Sequence, residues 1–327
     1  MTIGATDLSG GFAVASAGST LFVIPDGTTI PARGHFLGVN TAGYSLINYG
    51  GAGAAAGNAS FLTTLGVDQG VALFDTTAYT GLSTPLDSVG FVGNGSQYFE
   101  GVAIPAAAIT PGVGADHSFM RRYFTGAGTG LQDSGSSLAD WALVATDPGA
   151  DLSLTAAVLG GPSPENLAAE REQTNAQLQL GLCNPLQGDF VGDNYLFTPG
   201  GAENKSIELR RTFTNLTAAS ITSLRFKVTS LTTLNSNGGG TQADYRATTS
   251  VARPATACVA NGLTLEAPPG YAQLLGAGSG TMGGLNSSLR TTAVPLGAGN
   301  PVGVNFKLYY TTSGLPGFYW VTAEAKP

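Results

Sequence analysis

Ile24-Pro25-Asp26-Gly27-Thr28-Thr29-Ile30-Pro31-Ala32-Arg33-Gly34-His35-Phe36-Leu37 sets two apolar runs on either side of a turn. Pro25 fixes φ, Asp26 hydrogen-bonds locally and Gly27 accepts positive φ, so the stretch predicts strands over 20–24 and 35–40 joined at Pro25-Asp26-Gly27. The pattern repeats outward from there. Short β-type segments over 71–75, 87–92, 117–123 and 141–145 alternate with clusters of Gly, Pro, Asn and Ser, and 48–58 is a Gly/Ala-rich loop. Short strands at this spacing describe a sandwich.

Composition agrees. Charged residues make up 11% of the chain, about half the usual share of roughly a quarter. Glycine numbers 48, and 43% of residues are hydrophobic, too many for a disordered chain. Few Lys and Glu for helices and many Thr and Gly predict an all-β, secreted-type protein. At 327 residues the chain suits two domains rather than one small sandwich.

In the back half Ile207, Leu209, Arg211 and Phe213 alternate with Glu208, Arg210 and Thr212. Ile221, Leu224, Phe226 and Val228 line a returning strand with Arg225 and Lys227 outward, and Val302, Val304, Phe306, Leu308 and Tyr310 give the cleanest period of two. Gly160-Gly161-Pro162-Ser163-Pro164 marks a boundary, and 165–182 has the one helical composition in the chain, weakened by Thr174 and Asn175. The predicted organisation is a β-sandwich over 1–160, a linker or short helix over 161–185, and a second β-sandwich over 186–327.

Ordered blocks in the front half resemble the bacterial lamin-tail domain, an immunoglobulin-like sandwich. They are Asp7-Leu8-Ser9-Gly10, Gly34-His35-Phe36-Leu37, Gly43-Tyr44-Ser45-Leu46, Gly70-Val71-Ala72-Leu73-Phe74, Leu86-Asp87-Ser88-Val89-Gly90-Phe91, His117-Ser118-Phe119-Met120-Arg121 and Leu138-Ala139-Asp140-Trp141. The chain departs from that pattern at the front. It starts after the strand that usually precedes the first block, and Gly11 stands where the family has Trp. The resemblance implies a sandwich short of its first strand, with an edge open to strand addition. The back half is similar to a β-sandwich that follows lamin-tail domains in some secreted bacterial proteins, through Glu208-Leu209-Arg210-Arg211-Thr212-Phe213-Thr214-Asn215 and Gly283-Gly284-Leu285-Asn286-Ser287-Ser288-Leu289. No activity comes with that likeness.

Charge is uneven. Residues 1–166 hold three Arg against twelve acids (−9), and residues 167–327 hold eleven Lys and Arg against nine acids (+2), which sum to −7. The acidic front argues against nucleic acid, whose binding needs a basic face. No stretch reaches the roughly 20 apolar residues of a membrane span, so no membrane insertion is expected. The first residues lack the basic start and apolar core of a signal peptide. The two cysteines, Cys183 and Cys258, are candidates for a disulfide, with two separate buried thiols the alternative. The secreted-type composition favours the bond.

No catalytic set emerges. His35 and His117 are the only histidines, and neither has a nucleophile and acid arranged about it. Two His and two Cys at unrelated positions match no zinc spacing, and no calcium loop occurs, leaving Asp189 and Asp193 beside Asn194 as turn formers or weak ligands. Asp87, Glu100 and Asp140 are the acids from which a glycosidase pair would be drawn. Gly51–Gly57 resembles a nucleotide loop by spelling alone. No cofactor is expected. Tyr44, Tyr49, Tyr98, Phe99, Tyr271 and Tyr319 near loops keep a sugar platform open, with Trp141 and Trp320 read as core. Five Asn-x-Ser/Thr sequons occur, at Asn58, Asn94, Asn204, Asn215 and Asn286. These readings converge on a non-catalytic extracellular structural protein of a cell-surface layer, filament or matrix, with copies of itself as partner. The strand donor is expected before Leu8 or over 318–327. The rival is a glycan- or surface-binding accessory module of a secreted protein.

Overall fold

A computed structural model describes residues 6–7, 10–50, 55–66, 68–105, 108–109, 117–123, 130–145, 152–153, 158–188, 192–198, 205–231, 245–254, 258–266, 282–310 and 319–327. The protein is nearly all β, in several sheets. Its helical elements among these residues are one turn of α-helix, Ser137–Asp140, and one 3-10 turn, Ser96–Tyr98. No helix among them is long and apolar enough to cross a membrane.

The chain divides into two compact units, and the division is interleaved rather than a single cut. The first holds 1–144, 149–157 and 164–169, and the second holds 145–148, 158–163 and 170–327.

In the first unit the strands are β1 (Thr6–Asp7), β2 (Phe12–Ser16), β3 (Ser19–Ile24), β4 (Thr29–Ile30), β5 (Gly38–Asn40), β6 (Ala59–Phe61), β7 (Val71–Phe74), β8 (Pro85–Val89), β9 (Ala108–Ile109), β10 (His117–Arg121), β11 (Trp141–Ala145) and β12 (Leu152–Ser153). Four form one antiparallel sheet in the order β3-β2-β7-β8. Ala15, Ala72, Phe74 and Tyr98 make a small core against it. The predicted strand over 20–24 is β3, but its hairpin partner is β2, which comes before it. Ala17 and Gly18 both take positive φ at the connection, the backbone that matches the twist of paired strands. The Pro25-Asp26-Gly27 turn forms, with Thr28 N–H donating to the Pro25 carbonyl at 3.2 Å and Gly27 at φ 74°. It leads into β4, which pairs with β1. The run over 35–40 is strand only at β5, paired parallel to β6.

The second unit contains β13 (Val158–Leu159), β14 (Arg171–Glu172), β15 (Leu178–Leu182), β16 (Tyr195–Thr198), β17 (Lys205–Asn215), β18 (Ser223–Leu231), β19 (Tyr245–Thr248), β20 (Arg253–Pro254), β21 (Val259–Asn261), β22 (Leu263–Glu266), β23 (Met282–Gly283), β24 (Ser288–Thr291), β25 (Pro301–Tyr310) and β26 (Tyr319–Lys326). Two sheets face each other. One runs β14-β26-β18-β24-β22, and the other runs β15-β17-β25-β19-β23, with β16 also on β17. Leu224, Phe226 and Val228 of β18 meet Phe213 of β17 and Val304 and Phe306 of β25 in one apolar core. The three phenylalanine rings there stand 4.7–6.5 Å apart by centroid, within the range of favourable tilted and edge contacts.

The helix predicted within 165–182 is absent. Gln173 and Leu178 belong to extended segments instead: Arg171 and Glu172 pair with β26, and 178–182 pair with β17. Glu170, which favours helix in isolation, is drawn into an ion-pair network on the sheet, so tertiary contacts override propensity.

Candidate functional site

The densest cluster of ionisable groups in the first unit forms around Arg121, at the end of β10. Its guanidinium grips Asp87 of β8 at 2.7 and 3.3 Å and lies 3.5 Å from both Glu100 and Asp133. The same group sits over the Trp141 ring, 5.5 Å from its centroid, so the half-buried Trp141 both packs against the Phe91 and Ile104 core, as read from the sequence, and carries the cation on its face. Carboxylate oxygens of Glu100, Asp133 and Asp140 come within 4.8 Å of one another.

Each acid has a different task. Asp140 is fully buried and accepts four hydrogen bonds: Ser134 N–H and Oγ at 2.8 Å, Gln132 Nε2 at 3.0 Å and Ser136 N–H at 3.2 Å. Burial pushes its carboxyl up, but these donors outweigh burial and hold it below the ordinary value. Glu100 is moved the other way, first by burial and then by the Asp87 charge, against the pull of Arg121. The centre of the cluster is already filled by a guanidinium and the Asp140 oxygens are committed to one loop. The arrangement therefore fastens β8, β10 and 132–140 together. Ser134 Oγ does donate to Asp140, but a carboxylate held low by four hydrogen bonds is a weak base for activating a hydroxyl. Asp140→Asn is expected to destabilise the first unit by about 2 kcal/mol by weakening charge-assisted bonds to Ser134 and Ser136. Because the folded carboxyl is held low, its contribution is present above the unfolded aspartate value and is lost as pH falls through the folded one. Urea titrations of both proteins at neutral and acidic pH test this. Parallel curves at every pH would remove the carboxylate from the account.

A second network covers the face of the β18 sheet that looks away from the core. Arg225 donates to Glu324 at 2.5 Å and lies 3.6 and 3.9 Å from Glu170 and Glu266. Arg290 bonds Glu170, and reaches Glu266 at 2.6 Å. Burial raises the Glu170 carboxyl, but Arg290 and Ser223 more than offset this and lower it. Arg225 and Lys227, predicted outward, do point from the core yet are buried, Arg225 among Glu170, Glu266 and Glu324.

Cys183 and Cys258 are joined in a disulfide, their Cα atoms 5.5 Å apart. It ties the end of β15 to the start of β21. Beside it opens a pocket of about 610 Å³, walled by Leu182, Pro185, Thr212, Val259, Leu296 and Val302. Asn194 is fully buried and closes the neighbouring loop, accepting from Asn184 N–H at 2.7 Å and donating to the Asn184 carbonyl at 2.8 Å. Asp193 contacts Asn184 at 3.3 Å, and Asp189 lies outside the described residues.

The other sequence candidates are dispersed. His35 faces Glu165 at 3.3 Å, and the His117 side chain lies outside the described residues. Tyr49 and Tyr98 are buried, and Tyr44 donates to the Ala55 carbonyl at 2.6 Å. Tyr271 and the side chains of Tyr319 and Trp320 lie outside the described residues, as do 51–54 of the glycine loop and Asn204. The remaining sequon asparagines hold backbone. Asn58 accepts from Leu37 N–H, Asn94 donates to the Asp68 carbonyl, Asn215 donates to Leu296, and Asn286 donates to Gly161.

Comparison with protein-family models, with curated proteins and with solved structures returns no match to the chain.

What remains is the surface, and the sheet edges differ in a systematic way. β8 carries Pro85 and Asp87, β14 is Arg171-Glu172, β22 ends in Glu266 and β23 has two residues. Each is blunted by charge, proline or shortness, as edge strands usually are. β3 (Ser-Thr-Leu-Phe-Val-Ile) and β15 (Leu-Gln-Leu-Gly-Leu) are six and five residues long and uncharged, and the four-residue β16 (Tyr-Leu-Phe-Thr), also on β17, is uncharged with Leu196 and Phe197 exposed. β3 and β15 are each the last strand of their sheet among the described residues. Leu180 of β15 sits opposite the core residue Phe213, yet is 53% exposed because the sheet ends there. The absence of Lys, Glu and Pro from 178–182 was visible in the sequence. The helical composition of 165–182 masks that signal, because it points to linker or helix rather than to an edge strand.

Proposed function

We propose that this is a non-catalytic extracellular structural protein, its first unit lamin-tail-like, which acts by self-association in a surface layer, filament or matrix. The observation that carries the reading is β15, an uncharged end strand with an apolar core-side residue left half in water. An exposed edge of this kind is a template for another chain. The disulfide supports an oxidising compartment, where such bonds persist. The strand donors expected from sequence are already used within the chain: β1 pairs with β4, and β26 lies between β14 and β18. Association then proceeds edge to edge, without exchange of a terminal strand.

The glycan-binding alternative has less support, since Tyr44, Tyr49 and Tyr98 are turned to internal bonds and packing. Light scattering of the native protein over a concentration series, followed by negative-stain microscopy, tests the proposal. Regular polymers or a closed oligomer are expected. A monomer at every concentration would overturn it and move attention to glycan screening.

A further inference from the structure

The two longest uncharged edges, β3 and β15, lie in different units, and the chain's charge is divided in the same sense. The front 166 residues carry −9 and the remainder +2. Contact between two front halves sets acid against acid, whereas contact of a back half with a front half joins opposite signs. β15 and β3 match in length and polarity, with no charge to bury on either. In β3 Leu21 and Ile24 are buried and Phe22 stacks on Phe36 and Phe61, so what this strand offers Leu180 is an uncharged backbone edge with the half-buried Val23 on it. Both strands have one side paired, β3 by β2 and β15 by β17.

We infer that β15 of one copy takes β3 of a second copy as its next strand. This rests on the self-association reading above and gives it a direction: head to tail, back unit to front unit. Such a contact is heterologous. Repeated, it closes into a ring or continues as a filament, whereas pairing of β15 with itself would stop at a dimer. Backbone hydrogen bonds supply the recognition, and Leu180, half in water in the single copy, gains apolar cover.

Two variants that each carry one blunted edge separate these possibilities. Leu180→Lys damages β15 only, and Thr20→Lys, at an exposed position, damages β3 only. Each alone is expected to raise the concentration for half-assembly by about tenfold or more. Mixed, they are expected to form a one-to-one dimer through the two intact edges, seen by sedimentation velocity. Gln179→Lys, exposed on the same strand, serves as a second β15 variant, and far-UV circular dichroism checks that each protein is folded. If the parent assembles and the mixed variants give no dimer, the head-to-tail pairing is wrong while self-association stands. Undiminished assembly of either folded variant would also overturn it. A parent that remains monomeric removes the self-association reading and this pairing together.

Discussion

Replacing Arg225 with methionine is expected to lower the stability of the second unit by about 3–5 kcal/mol, the usual cost of stripping one partner from a buried ion pair. The residue is central in two senses. It stands on β18, opposite Glu324 of β26 and Arg290 of β24, and its guanidinium is surrounded by Glu324, Glu170 and Glu266. All three acids are buried. Without the cation Glu324 keeps its place on an interior strand of the sheet but loses its donor at 2.5 Å, and Glu170 and Glu266 keep Arg290 but lose the second guanidinium. A buried charge without a partner costs far more than an exposed pair is worth. The paired change Arg225→Met with Glu324→Leu removes both charges and is expected to recover most of the loss. Equilibrium urea unfolding of the three proteins measures both effects. The network also sets a pH dependence. Glu170 is held low in the folded state, so its contribution is complete above the unfolded glutamate value and disappears as pH falls through the folded one. A single variant as stable as its parent near neutral pH would mean the network is not formed.

The strands were easier to read than what covers them. Val302 to Tyr310 alternates in sequence and forms β25, with Val304, Phe306 and Leu308 in the core. Trp141–Ala145 is a strand over the residues predicted. Period two says which face a side chain takes, but not whether that face is wet. Glu208 and Arg210 alternate with apolar residues and were legible as the outer face of β17. Both are buried, with Glu208 held by Arg253 at 3.0 and 3.1 Å and by Asn305 at 2.9 Å. These partners lie 45 and 97 residues away in the chain, and no local pattern announces them. The cluster in the first unit shows the same limit. Asp87, Glu100 and Asp140 stand in the sequence as isolated acids, and nothing local marks Arg121 as the cation that gathers two of them. Pairing order was lost at β2–β3 because Ala17 holds a positive φ that its side chain gives no reason to expect.

Removing the disulfide through Cys183→Ser with Cys258→Ser is expected to cost the second unit about 4 kcal/mol, the chain-entropy value for releasing a loop of this length. The bond spans a sequence separation of 75 residues and joins the two cysteines around the lip of the pocket formed by Leu182, Val259 and Val302. Its position gives it a second consequence. Cys183 follows Leu182 directly, so the disulfide anchors the end of β15, the strand whose outer edge is assigned to a second copy. An edge accepts a strand only while its own backbone is held extended, and among the described residues β15 has a neighbour on one side, β17. Reduction is therefore expected to act in two stages as reductant is raised: assembly falls first, while most of the second unit is still folded, and unfolding follows at lower denaturant than in the oxidised protein. Light scattering and tryptophan fluorescence on one titration separate the stages. Coincident transitions would show that β15 has no independence from the rest of its sheet. Full assembly in the reduced, folded protein would show that the anchored edge is not the one used.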